Sequence, residues 1–143
     1  MKITCPEFHH GGTIPRVYTC DGEDTNPELS ITEIPESAKT LALIVDDPDA
    51  PGRTWVHWVV FNMATEGKVR RNSIPGTEGR NDFGRLSYGG PCPPRGAHRY
   101  YFKVYALDAR LDLREGSTKA DLLKAMKGHI LEEASLIGLY SRS

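Results

Sequence analysis

The chain has 143 residues, the length of one domain with enough surface to bury its own core. Eighteen Lys and Arg against 19 Asp and Glu leave a formal charge of -1, which excludes a broad basic field for nucleic acid and an acidic disordered tail. Fourteen glycines and ten prolines exceed the roughly 12% usual in ordinary chains, too many interruptions for a helical bundle, while 38% apolar residues exclude a disordered chain.

Met1 to Glu7 lacks the apolar stretch of a signal peptide. The longest apolar run, Leu41 to Val45, is far short of the ~20 residues that span a bilayer. The expectation is a soluble, cytoplasmic protein without a transmembrane segment. Cys5, Cys20 and Cys92 form no CxxC pair, so a disulfide framework is not expected. A single Cys20–Cys92 bridge stays open, because spacing cannot derive it.

Val17–Cys20 and Leu29–Ile34 read as short strands either side of a polar turn at Asp21-Gly22. Thr40–Asp46 is almost wholly apolar, as in a strand covered on both faces. It stops at Asp47-Pro48-Asp49-Ala50-Pro51-Gly52, where two prolines remove backbone donors and fix φ. Thr54–Met63 reads as a central strand. A two-residue period puts Trp55, His57, Val59 and Phe61 on one face and Val56, Trp58 and Val60 on the other.

Gly76 to Gly96 holds six glycines and three prolines and reads as a long surface loop, a kind of segment that is usually functional. Arg99–Leu107, rich in aromatic and β-branched residues, is another core strand. Ser117 or Thr118 caps a helix, with Asp121 in a box-like position, Leu122, Leu123, Ala125 and Met126 at helical spacing, and Gly128 to end it. Ile130–Tyr140 stays open between a second helix and a closing strand. The sum is a single mainly β domain over 1–143, an antiparallel β-sandwich with one or two short C-terminal helices.

A histidine between Val56 and Trp58 is ordinarily a hydrogen-bonded core residue. His57 has company, however. His98 shares parity with Tyr100 and Phe102, and Asp47 and Asp49 end the first apolar strand. If these strands are neighbours, two imidazoles and a carboxylate converge, with Asp47 fixing a histidine tautomer. A metal site would need three or four ligands, and these spacings match no metal motif. A hydrolase would need an activated nucleophile, and the chain has no GxSxG. A small-anion pocket fits best: imidazoles, backbone donors at Gly89-Gly90, and apolar walls from Trp55 and Tyr88. No catalytic residue, metal or cofactor is therefore expected. Lys68, Arg70 and Arg71 read as a solvated turn, Arg95 and Arg99 as residues that could steer an anion, and Phe83 as an anchor for the long loop.

Five segments, Asp47-Pro48-Asp49-Ala50-Pro51, His57-Trp58, Gly79-Arg80-Asn81-Asp82-Phe83-Gly84, Tyr88 to Pro94, and Gly96-Ala97-His98-Arg99-Tyr100-Tyr101-Phe102, resemble the phosphatidylethanolamine-binding protein family. The likeness is greatest to its compact bacterial and archaeal, Raf-kinase-inhibitor-like branch, and runs from about Ile14 to Tyr140. It implies a Greek-key β-sandwich with an anion pocket formed by Asp47, Ala50, Pro51, Trp55, His57, Gly90, Pro91, His98 and Tyr100. It also implies ligands such as phosphate, phosphoethanolamine-like head groups or small carboxylates. The alternative it carries is a protein partner, as an inhibitor of a serine protease or of a kinase. A homodimer stays open.

Overall fold

The computed structural model describes residues 1–142. Eight strands form two antiparallel sheets. One contains β1 (Lys2–Thr4), β2 (Leu29–Thr32) and β5 (Lys68–Val69) in that order. The other has the order β6-β4-β3-β7-β8, from β3 (Thr40–Asp47), β4 (Trp55–Met63), β6 (Thr77–Glu78), β7 (Ala97–Leu107) and β8 (Ile130–Ser141). β3 and β4 form a hairpin; the chain then visits the small sheet and returns to lay β7 against the free side of β3. This long return is the Greek-key connection.

Burial on both faces of β3 explains its continuous apolar run: all eight residues are buried. Leu41, Leu43 and Val45 enter the core between the sheets with Trp58, Val60, Tyr100, Phe102 and Val104. Ala42 and Ile44 face the other way, under Leu111, Leu122 and Met126. The helix α1 (Lys119–Met126) starts at Thr118, whose hydroxyl accepts the Asp121 N–H while the Asp121 carboxylate accepts the Thr118 N–H. Residues 130–141 form a strand and not a second helix, because they pair with β7 along its whole length. Gly138 in that strand sits under Ile14 and Phe8, where a Cβ would come within 2.5 Å of Ile14 Cγ1.

Three strand expectations change. Arg16–Tyr18 is a 3-10 turn, because Pro15 sets its first dihedral and the Pro15 and Arg16 carbonyls accept the Tyr18 and Thr19 N–H groups. The second strand ends at Thr32, where Glu33 turns to φ 56°. In β4 the faces do not alternate throughout. Asp46 pairs with Val56 and Val45 with Trp58, so His57 is the extra residue of a β-bulge. Trp58 and Val60 therefore join the inter-sheet core, while Val56, Val59 and Phe61 face the helix. A second irregularity, around Asn62 at φ 52°, brings Met63 back to the inter-sheet side. The segment 76–96 is also less exposed than a surface loop: it contains β6, and Glu78, Asn81 and Tyr88 are buried.

On the helix side Asp46 is 1% exposed and its Oδ2 accepts from Lys103 Nζ at 3.0 Å and Lys119 Nζ at 2.7 Å, tying α1 to the sheet. Removing the shared acceptor strands two half-buried ammonium groups beside each other. Asp46→Ala is expected to lower the unfolding free energy by about 2–3 kcal/mol, less than a fully buried pair because both lysines reach solvent. Urea denaturation at neutral pH measures this, and a loss below about 0.5 kcal/mol would show that the triad does not hold the helix.

Candidate functional site

At one end of the inter-sheet core, β3, β4 and β7 bring their last or first residues to a common cavity of about 270 Å³. That volume lies at the small end for ligand pockets. Asp47 comes from β3, Trp55 and His57 from β4, and His98 and Tyr100 from β7. Ala50 and Pro51 close it from the hairpin turn, and Phe83, Cys92, Pro93 and Pro94 from the long connection between β6 and β7. Aromatic edges make up much of the wall: His57 meets Phe83 and Tyr100, each with ring centroids 5.2 Å away, and Trp55 meets Phe83.

The two imidazoles are held in the same way. His57 Nδ1 lies 2.7 Å from the Gly89 carbonyl, and His98 Nδ1 lies 2.7 Å from Asp47 Oδ2. Both partners only accept, so each Nδ1 carries the proton that donates and each Nε2 is left without that role. The other Asp47 oxygen accepts the Asp49 N–H at 2.8 Å. Asp49 in turn takes a two-pronged contact from the Arg99 guanidinium and the Arg99 backbone N–H, and this holds its carboxyl at about 2. The result is a chain of fixed groups, Arg99 to Asp49 to Asp47 to His98.

Burial pushes the His57 imidazole below its ordinary value, against the upward pull of the Gly89 carbonyl and the Asp47 charge. Burial, followed by Asp47, pushes the Tyr100 hydroxyl up, so it remains a donor. That hydroxyl is buried beside the Asp47 carboxylate and the Cys92 backbone, and closes a well-formed hydrogen bond with neither. A buried orphan donor in a cavity wall is costly unless something else accepts from it.

Seven of the nine residues expected at the pocket, Asp47, Ala50, Pro51, Trp55, His57, His98 and Tyr100, line this one cavity. Gly90 and Pro91 do not. Gly90 donates its N–H to Asp24 Oδ1 at 2.7 Å and packs against the Tyr18 carbonyl, where no side chain fits. Pro91 offers its carbonyl to Cys20 N–H. Gly89 N–H is spent on the His57 carbonyl. The glycine loop thus supplies no free donor to the cavity: its amides hold the wall together from behind.

Sequence reasoning missed Cys92, Pro93 and Pro94 as lining residues, gave Phe83 only an anchoring part, and gave Asp24 none. Nothing local marks Asp24. Asn81 was a better signal, since a buried asparagine in a glycine-rich loop organises backbone. Its Oδ1 accepts from Phe83 and Arg85 N–H, and its Nδ2 donates to the Ser87 carbonyl at 2.8 Å and the His57 carbonyl at 3.3 Å, which sets Phe83 over the cavity. Tyr88 is buried behind the wall, donating to the Tyr18 carbonyl and meeting Trp58 edge-on. Among the described residues no group of three or more His, Cys, Asp or Glu is placed to hold a metal. No helix there is long and apolar enough to cross a membrane.

The chain is thus a two-sheet antiparallel sandwich with a cavity lined by histidine and aspartate at the end of its core. Residues 4–141 match the phosphatidylethanolamine-binding protein family. The chain belongs to that family. It is 49% identical to a UPF0098 protein of Methanothermobacter thermautotrophicus over 99% of both chains. It is 44% identical to one from Chlamydia muridarum, again over 99% of both. Among solved structures, a phosphatidylethanolamine-binding protein homolog from Chlamydia trachomatis superposes with a TM-score of 0.96 at 41% identity, covering 99% of this chain and 97% of that one. YbcL of E. coli, described as a new member of the mammalian family, gives 0.92 at 29% identity, covering 99% and 98%.

The Asp47–His98 contact sets one tautomer, and its loss should be visible. In Asp47→Ala the His98 ring is expected to sample both tautomers, read from its two ¹⁵N ring shifts. Unchanged shifts would mean that the carboxylate does not orient the ring.

Proposed function

We propose that the cavity binds a small anion, such as a phosphate, a phosphorylated head group or a carboxylate, and that the protein is a regulatory binding module and not an enzyme. The observation that carries this reading is the paired arrangement of His57 and His98, each with Nδ1 committed to a fixed acceptor. Each Nε2 can donate to an anion once the ring is protonated, and the orphaned Tyr100 hydroxyl can add a third donor. An aromatic wall from Trp55 and Phe83 suits an ammonium group attached to such an anion, as in phosphoethanolamine. The name of the family, and the description of the Chlamydia trachomatis structure as a phosphatidylethanolamine-binding protein homolog, point the same way. A cytoplasmic location fits this reading.

The alternative of a protease-inhibiting bait in segment 76–96 has less behind it. Only Phe83 to Leu86 form an exposed run near its centre, and Tyr88 to Pro91 are buried.

Phosphate titration followed through the His57 and His98 ring signals tests the reading. Both rings are expected to shift at millimolar phosphate, and no movement of either would overturn it. His57→Ala is expected to abolish binding while the sandwich persists with some loss of stability.

The pH dependence has a definite sign. Burial keeps free His57 neutral near pH 7, so an anion that takes Nε2–H as a donor must bind with proton uptake. Sulfate is the suitable probe, because its own charge is constant in this range. Its affinity is expected to rise by up to about tenfold per unit as pH falls from about 8 to 6. Flat affinity across that range, measured by calorimetry, would exclude His57 protonation from binding. In the free protein the depressed His57 value acts oppositely: it contributes stability above pH 6.5 that is lost as pH falls from there through the folded value.

A further inference from the structure

The cavity wall contains a group that anion binding does not require. Cys92 lines the cavity, and its sulfur is bonded to Cys20, 72 residues earlier. Around this bridge the two sides are held very differently. On the Cys20 side, Asp21 accepts from Tyr140 of the last strand and from Arg142 just after it, Gly22 N–H reaches the Thr19 carbonyl, and Asp24 N–H reaches the Val17 carbonyl. On the Cys92 side, the last backbone hydrogen bond before the gap is at Pro91, and strand β7 begins at Ala97. Pro93 and Pro94 have no N–H to give, Cys92 to Arg95 make no backbone–backbone hydrogen bond among the described residues, and the Cys92 backbone lies only beside the Tyr100 hydroxyl. The disulfide is the fastening of this part of the wall.

We propose that the Cys20–Cys92 bridge is a redox control on the cavity: reduction releases the Cys92–Pro94 wall and weakens anion capture while the sandwich stays folded. This rests on the anion reading above. Neither cysteine belongs to the two hydrophobic clusters, and the strand ladders run without the bridge. The neighbouring wall keeps Tyr88 on Tyr18, Gly90 on Asp24 and Pro91 on Cys20 N–H after the sulfurs part. What is lost is preorganisation of one wall, whose ordering must then be supplied at the moment of binding.

The reductant is a dithiol. Its thiolate attacks Cys92 Sγ, the sulfur at the cavity; the S–S bond breaks and Cys20 leaves as a thiolate that takes up a proton. The second thiol of the reductant then closes on the mixed disulfide and releases Cys92. The bridge gains two electrons and two protons, and the dithiol becomes a disulfide. Linkage makes the effect reciprocal. An anion that favours the bridged state raises the dithiol concentration needed to reduce it by the factor through which reduction weakens the anion.

Inorganic phosphate titrated into the full chain, oxidised and dithiothreitol-reduced, at one pH, tests this through the His57 and His98 ring signals. A Cys20→Ser, Cys92→Ser double variant removes the reagent from the comparison. Reduced protein and double variant are expected to keep a cooperative melt and bind phosphate roughly tenfold more weakly. In the wild-type chain, saturating phosphate is expected to raise the reduction midpoint. Equal affinity in oxidised and reduced protein overturns the redox link and leaves the anion reading standing. Absence of phosphate binding in every state overturns both. Loss of the cooperative melt on reduction also overturns the proposal, because the bridge is then a staple of the fold.

Discussion

The site depends on one extra residue in β4. Because Asp46 pairs with Val56 and Val45 with Trp58, His57 is squeezed out of the ladder, and consecutive side chains His57 and Trp58 both leave on the inter-sheet side. Without the bulge, a two-residue period would place Trp58 and His57 on opposite faces. The core would lose its largest buried side chain, or the cavity would lose an imidazole. The bulge lets one strand serve both. Trp58 extends inward to donate to Glu78, while His57 turns back to the Gly89 carbonyl and the cavity.

The rest of the cavity is arranged so that polar groups are satisfied from behind. Gly89 and Gly90 amides, which an exposed loop would offer to a ligand, are used on the His57 carbonyl and Asp24. Asp47 is used on His98 and on Asp49 N–H. Internal bonds therefore occupy the amides and the carboxylate, and the lining is left with aromatic surface, prolines and the two histidine rings. A site built this way has little fixed positive charge. On the proposed anion reading its attraction has to be created by protonation, against the burial that favours the neutral form of His57 in the free protein.

Much of this was legible in the sequence, and the residues show where legibility stops. Both core strands could be read, because Thr40–Asp47 and Ala97–Leu107 are buried on alternating or both faces over many residues. The helix could be read from Thr118 and Asp121, a local signal. The face of Val59 could not, because a bulge leaves no mark in a run of apolar residues. Neither could the fate of 130–141: its exposed start, Ile130 to Glu133, carries no burial pattern, and only the partner strand decides it. In the cavity, strand-borne residues were identifiable because their parity and neighbours are local. The backbone donors of the glycine loop were misassigned, because their true acceptors, Asp24 and the His57 carbonyl, are 66 and 32 residues away.

The concentration of glycine and proline then has a more specific meaning than a preference for loops. Glycine at position 90 allows backbone to press on the Tyr18 carbonyl, whereas Pro93 and Pro94 have no N–H with which to tie themselves to a neighbour. A proline wall is stiff within itself but needs an external tie, and here the tie is covalent. The same cavity thus joins two chemistries with different triggers. On the proposed reading, imidazole protonation sets how strongly it attracts an anion, and the disulfide sets whether the wall is already in place. Because the two act on different elements, β4 and β7 for the rings and the 91–94 loop for the bridge, either can change while the other is held fixed.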